Sequence, residues 1–315
     1  MTLRTNVRER IARTATDLFA HAEYPLVDSL TYGPDPGLFG PGSSTWEVIG
    51  DVSAMVGGIR ALLIQTAHPE VVAGVAQHSE YRADPLGRLS RTSAYVTATA
   101  YGAMPEVQAS IDTVFGAHAP VTGVSHRGRP YSANHGGHAS WVHNVLADSF
   151  LIAYQTFAPS ALDLERSDAF VTEQAVLGSR LRADDLPLGQ VELAQWVSTH
   201  EALGVSPGMT DTLAFLTNPP LPAAARTGYR ILLNGASATI PPRIRRILGV
   251  EPPRGSLRLA KNLLAVMRWS MGSSPSWWLA LERTHSDAPA GVRFRRPPPA
   301  TGAAERFTAN ESAGS

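Results

Sequence analysis

The chain of 315 residues contains no cysteine. That absence excludes disulfides, thiolate metal sites, iron–sulfur clusters and a cysteine nucleophile. Lysine is nearly missing too: Lys261 stands alone, and every other basic residue is arginine. Schiff-base chemistry or a phosphate-binding lysine would rest on that one residue, which lies in no glycine-rich loop. There is no basic excess, because 27 Lys and Arg balance 27 Asp and Glu. Without surplus positive charge to neutralise phosphates, no nucleic-acid partner is expected. Long apolar runs are lacking as well. Arg60 interrupts the longest, over residues 52–67, and a spanning helix needs roughly 18 to 20 apolar residues. Residues 5–13 are charged where a signal peptide would carry its apolar core. The expectation is a soluble, cytoplasmic protein without a membrane span.

What is present is helical periodicity. Val7, Ile11, Ala15, Leu18 and Phe19 form one amphipathic stripe. A Pro/Gly-rich loop follows over 25–42. Ser44 with Glu47 three residues on resembles a capping box and predicts a helix from 44 to about 67. Pro69 predicts a second short helix over 69–80, with His68 in a capping position. Asp84-Pro85 opens another that Gly102 stops. Pro105 starts a helix that ends near Pro120. A Gly/His-rich loop covers 123–137, and an aromatic helix runs from about 140 to 157. Further helical segments are expected over 167 onward, 188–203, 210–216, 223–236, 242–249 and 256–271. No alternation of apolar and polar residues and no Asn-Gly hairpin turn stand out. The predicted fold is all-α, a single helical domain over 1–285, with a disordered tail over 286–315 that has little to bury.

Several motifs are absent: no G-x-G-x-x-G after a strand, no phosphate-binding G-x-x-x-x-G-K-[ST], no H-E-x-x-H and no G-x-S-x-G. Histidines and arginines on helices are what remain. Arg88, Arg91, Thr92, Tyr95 and Thr99 share one face of the 85–101 helix. Such a face is ordinarily solvated; turned inward, its guanidiniums would need anionic partners. His118 ends the apolar stripe Val107, Ile111, Val114. It reads either as a core histidine or as a neutral imidazole ligand to iron. His143, followed by Ala147, Phe150 and Tyr154 at helical spacing, also faces inward. His126, His135, His138 and His143 form a loose cluster, but the glycines between His135 and His138 argue against a rigid metal pair.

Taken together, Gln65-Thr66-Ala67-His68-Pro69, Gly74-Val75-x-x-His78-Ser79, Asp84-Pro85-x-x-Arg88-x-x-Arg91-Thr92, Val114-x-x-x-His118, Val121-x-Gly123, Tyr131-x-Ala133 and Trp141-Val142-His143 resemble the MpaB-type oxygenase family, which includes latex-clearing protein. The resemblance covers roughly residues 45–250. It implies helices packed in a globin-like style around a haem b pocket, and dioxygen chemistry on hydrophobic substrates. Those substrates are alkene double bonds or, in some members, the indole rings of cyclic dipeptides. It also implies that His118 is the proximal ligand to the haem iron, and that Arg88, Arg91 and Thr92 line the open haem face. The family has a lysine where this chain has Arg91. A guanidinium offers no lone pair to iron, so the lysine-closed state of latex-clearing protein is not expected here. Glu70 and Glu80 are candidates for the acid–base glutamate.

The reading is therefore a haem b-dependent oxygenase acting on a small hydrophobic molecule. His118, Arg88, Arg91, Tyr95 and His143 would contact the cofactor, and Arg88, Arg91 and Thr92 would act in catalysis. His118 and His143 are both left open as the axial ligand. The partners are the substrate, dioxygen or peroxide, and an electron donor. Two alternatives stand beside it. One is a non-haem metal-dependent oxygenase or hydrolase built on His126, His135, His138 and His143. The other is a non-catalytic carrier of haem or a hydrophobic ligand.

Overall fold

Several helices begin where a short polar cap meets a proline. Asp84 accepts a hydrogen bond from the Gly87 amide at 3.0 Å and Pro85 fills the first helical position. His68 caps its helix in the same way, its Nδ1 accepting from the Val71 amide at 3.4 Å. Ser206 accepts from the Met209 amide at 3.1 Å ahead of Pro207.

The computed structural model describes residues 21–79, 83–289, 294, 296 and 297. The stripe over 7–19, Glu80 and most of the tail from 286 lie outside them. After a 3-10 turn at Ser29–Tyr32 come α1 (Ser44–Gly50), α2 (Ala54–Gln65), α3 (Pro69–His78), α4 (Pro85–Tyr101) and α5 (Met104–His118). A two-stranded antiparallel ribbon follows, β1 (Thr122–Val124) and β2 (Pro130–Ser132), with Gly123 opposite Tyr131. The chain continues with α6 (Gly136–Phe157), α7 (Leu164–Arg180), α8 (Gln190–Thr199), α9 (Pro207–Thr217) and α10 (Ala223–Ala238). It closes with α11 (Pro242–Leu248), α12 (Ser256–Met271) and α13 (Pro275–Arg283). The fold is all-α, as the periodicity predicts. Among the described residues no helix is long and apolar enough to cross a membrane.

At the centre α2 lies against α6, while α10 packs on α2 and on α12. Gly57 permits the α2–α6 approach: a Cβ there would fall 2.6 Å from Phe150 Cδ1 and 3.0 Å from Phe150 Cα. One turn on, Arg60 Nη1 donates to Asp148 Oδ2 at 2.7 Å and to Ser149 Oγ at 2.8 Å, with both charged side chains buried. Around this contact one apolar core joins Val56, Ile64, Trp141, Phe157, Phe170, Val197 and Leu264.

The structure departs from the sequence expectations at four places. The helix predicted from 44 to 67 is two helices, and its cap is Ser43, not Ser44. The break is held by Asp51, which accepts from the Ser53 amide at 2.8 Å and pairs with Arg268 through two bonds of 2.6 and 2.8 Å. The 123–137 loop contains the ribbon. The aromatic helix starts at Gly136, four residues early, capped by His135. Finally, α13 was unread. It buries Trp277 beside Trp46, Tyr101 and Leu26 in a second cluster, with the Phe294 ring 4.9 Å from that of Trp277. Arg283, at its end, is buried; it donates to Ser29 Oγ at 2.5 Å and to the Asp35 carbonyl at 2.8 Å.

Candidate active site

A small, largely apolar cleft of about 80 Å³, partly open to solvent, lies among α2, α3, α4 and α9. Leu62, Gln65 and Thr66 line it from α2, and Val71, Val72 and Val75 from α3. Pro85, Arg88, Leu89 and Thr92 contribute from α4, and Thr212, Phe215 and Leu216 from α9. The i, i+3/i+4 spacing of the α3 and α4 residues turns one stripe of each helix to the cleft.

Arg88 is half-buried at this wall and donates to Ser79 Oγ just beyond α3. Its charge also bears on His118, half-buried in the last turn of α5. Burial lowers the His118 pKa below the usual imidazole range, and Arg88 lowers it further. The imidazole is thus neutral and carries a lone pair at neutral pH. Thr92 is exposed, and its hydroxyl donates to the Arg88 carbonyl at 3.0 Å.

The other predicted site residues lie elsewhere. Arg91 is on the outer side of α4, with its side chain 61% exposed and 3.1 Å from Asp84. Tyr95 is half-buried, and burial pushes its phenol pKa up. His143 is buried on α6, where its Nε2–H donates to the Gln174 carbonyl of α7 at 2.7 Å. Burial lowers its pKa to about 4, against the raising effect of that bond. A Cβ on Gly178 would fall 2.8 Å from its ring, so the imidazole is wedged between two helices. Glu70 is buried, its Oε1 accepting from Ser125 at 2.9 Å. Burial acts to raise its pKa, but Ser125, its own amide, His68 and Arg127 together bring it below the usual range.

The four histidines of the metal alternative do not converge. His126 and His135 are exposed, and His135 caps α6 through the Gly137 amide at 3.2 Å. His138 Nδ1–H donates to the Ser132 carbonyl at 2.9 Å. Among the described residues no three His, Asp or Glu are placed to hold a metal ion; a single axial imidazole is not such a group. Instead the rings of His138 and His200 each lie 5.5 Å from that of His68, which also stands 5.7 Å from Trp141. Burial first, then the neighbouring His138 and His200, lower the His68 pKa to about 3. His200 escaped the sequence reading because it follows a polar helix end, and nothing local links it to a histidine 132 residues earlier.

Residues 46–269 match the family model described as the ER-bound oxygenase mpaB/B′ and rubber oxygenase catalytic domain. No curated protein and no solved structure gives a significant match.

Proposed function

The chain belongs to that oxygenase family, and from this premise we propose that it is a haem b-dependent oxygenase of a small apolar substrate. The observation that carries the reading is that one arginine borders the apolar cleft while its charge bears on a neutral histidine. The residues present fit the group. His118 offers the iron an unprotonated ring nitrogen, the kind of ligand haem takes from a proximal histidine. Arg88 offers a permanent cation for a propionate or for a developing negative charge on oxygen. The cleft wall is mostly Val, Leu and Phe, which suits a porphyrin face and an alkene or an indole ring better than it suits water.

Haem b, when bound, supplies the iron and the activation of dioxygen or peroxide. The chain's own part is placement. Arg88, held by Ser79, keeps one charge-assisted donor at the cleft. Thr92 braces the Arg88 backbone through its carbonyl. The apolar side chains of α2, α3 and α9 keep water from the substrate. Arg91 would not occupy iron as the lysine of latex-clearing protein can, because a guanidinium stays protonated, and here it faces solvent beside Asp84.

The deciding experiment is a visible spectrum of the purified protein before and after dithionite, as isolated and after haem addition. A Soret band that shifts on reduction is the expected result. A protein that stays colourless after haem addition overturns the reading.

A further inference from the structure

We propose that Thr212 is the polar recognition point of the cleft, and that the cleft takes an apolar ligand carrying one hydrogen-bonding atom. This deepens the substrate reading above and rests on it only for the chemistry, not for the binding. Five polar side chains line the cleft, and four are committed. Gln65 gives its amide N–H to the Val142 carbonyl at 3.2 Å. Thr66 donates to the Leu63 carbonyl at 2.7 Å, Thr92 to the Arg88 carbonyl at 3.0 Å, and Arg88 to Ser79. The Thr212 hydroxyl is buried and has no hydrogen-bond partner among the described residues, on a residue only 7% exposed.

The contrast within α9 sharpens this. A threonine inside a helix ordinarily returns its hydroxyl to a carbonyl one turn back. Thr210 does so to Ser206 at 3.4 Å and Thr217 to Leu213 at 2.9 Å. Thr212, between them on the cleft side, makes no such bond. A buried hydroxyl left without a partner destabilises the empty protein, and a ligand that supplies the missing atom removes that cost. Phe215, Leu216 and Val72 line the same cleft, which favours a ligand that is apolar everywhere else.

The test compares 2-naphthol with naphthalene, two apolar bicycles that differ by one hydroxyl, titrated onto the full-length protein with and without added haem. The wild type should bind 2-naphthol about tenfold more tightly, the worth of one net hydrogen bond. Thr212→Val should abolish that preference and leave naphthalene affinity unchanged, while Thr212→Ser keeps it. The Val variant should also melt at the same or a higher temperature in the absence of ligand, since it removes an unsatisfied polar atom. A purely structural threonine would instead lower the melting temperature and both affinities together. Preference retained in Thr212→Val, or no binding of either probe to the wild type, overturns the proposal. Haem content, read from the Soret band in the same samples, reports separately on the oxygenase reading.

Discussion

His118 lies within the field of the Arg88 guanidinium: burial lowers the imidazole's pKa, and the arginine's charge lowers it further. A positive neighbour keeps the ring nitrogen free of a proton, and so free for iron, to lower pH than an isolated histidine would manage. His118→Ala is expected to lose haem while the chain still folds, because the side chain is only half-buried at a helix end. Arg88→Ala should retain haem at neutral pH. Removing the cation raises the His118 pKa, so acid release of haem in Arg88→Ala should begin at a higher pH than in wild type. Soret absorbance followed against pH reads both outcomes; unchanged acid release would show that Arg88 does not act on His118.

The two arginines of α4 should separate. Arg88→Ala removes a donor from the cleft wall, and turnover per bound haem is expected to fall roughly ten- to a hundredfold, the equivalent of one charge-assisted bond of about 1.5 to 3 kcal/mol. Arg91 is paired with Asp84 in the open, where such pairs contribute about 0–1 kcal/mol. Arg91→Ala should therefore stay within severalfold of wild type. Equal losses in both variants would place the outer side of α4 in the site.

Acid should destabilise the protein earlier than its carboxylates alone would. His143 in the folded chain titrates at about 4 and His68 at about 3, against about 6.5 for an unfolded imidazole. Between those values the unfolded chain binds protons that the folded chain does not, so stability falls as pH drops from about 6.5 toward 4. Each histidine contributes a slope of up to about 1.4 kcal/mol per pH unit. His143→Gln can still donate to the Gln174 carbonyl but cannot take up the proton. Its denaturant midpoint should depend on pH less steeply, by about one proton; an unaltered slope would place His143 in water.

Adjacent glycines of α2 should behave oppositely. Gly57→Ala drives a methyl into Phe150 backbone and ring atoms and is expected to cost about 1 to 3 kcal/mol. At Gly58 no neighbouring side chain or packed backbone among the described residues lies within 4 Å of a Cβ, so Gly58→Ala should stabilise the helix by about 0.5 to 1 kcal/mol. Thermal melts of the two variants decide the matter, and a shift of the same sign in both would contradict the α2–α6 packing.

Much of this architecture was legible because the chain punctuates itself. Asp84-Pro85, His68-Pro69 and Gly102 mark helix ends by chemistry acting within four residues, and the structure places the ends there. The break after Gly50 was not legible, since it is stabilised by Arg268, 217 residues away. The ribbon hid because each strand is three residues long, too short for alternation to register. Ser274-Pro275 ahead of Trp277 and Leu281 carried the same signal as the other helix starts, and α13 could have been read from it. Helical spacing groups Arg88, Arg91, Thr92, Tyr95 and Thr99 on one face, whereas of these only Arg88 and Thr92 line the cleft. That division depends on where α3 and α9 lie, and no local pattern encodes it.

The bond between Ser29 and Arg283 joins residues 254 positions apart. A ribosome adding about 5 to 20 residues per second would make the arginine roughly 10 to 50 s after the serine. Through that interval the Ser29–Tyr32 turn and the Trp46–Tyr101 pair wait for α13, which alone brings Trp277 over them. Two large aromatic surfaces stay uncovered on the nascent chain until α13 emerges, so the arrival of that helix sets when the Trp46–Tyr101 pair becomes safe from association with its neighbours.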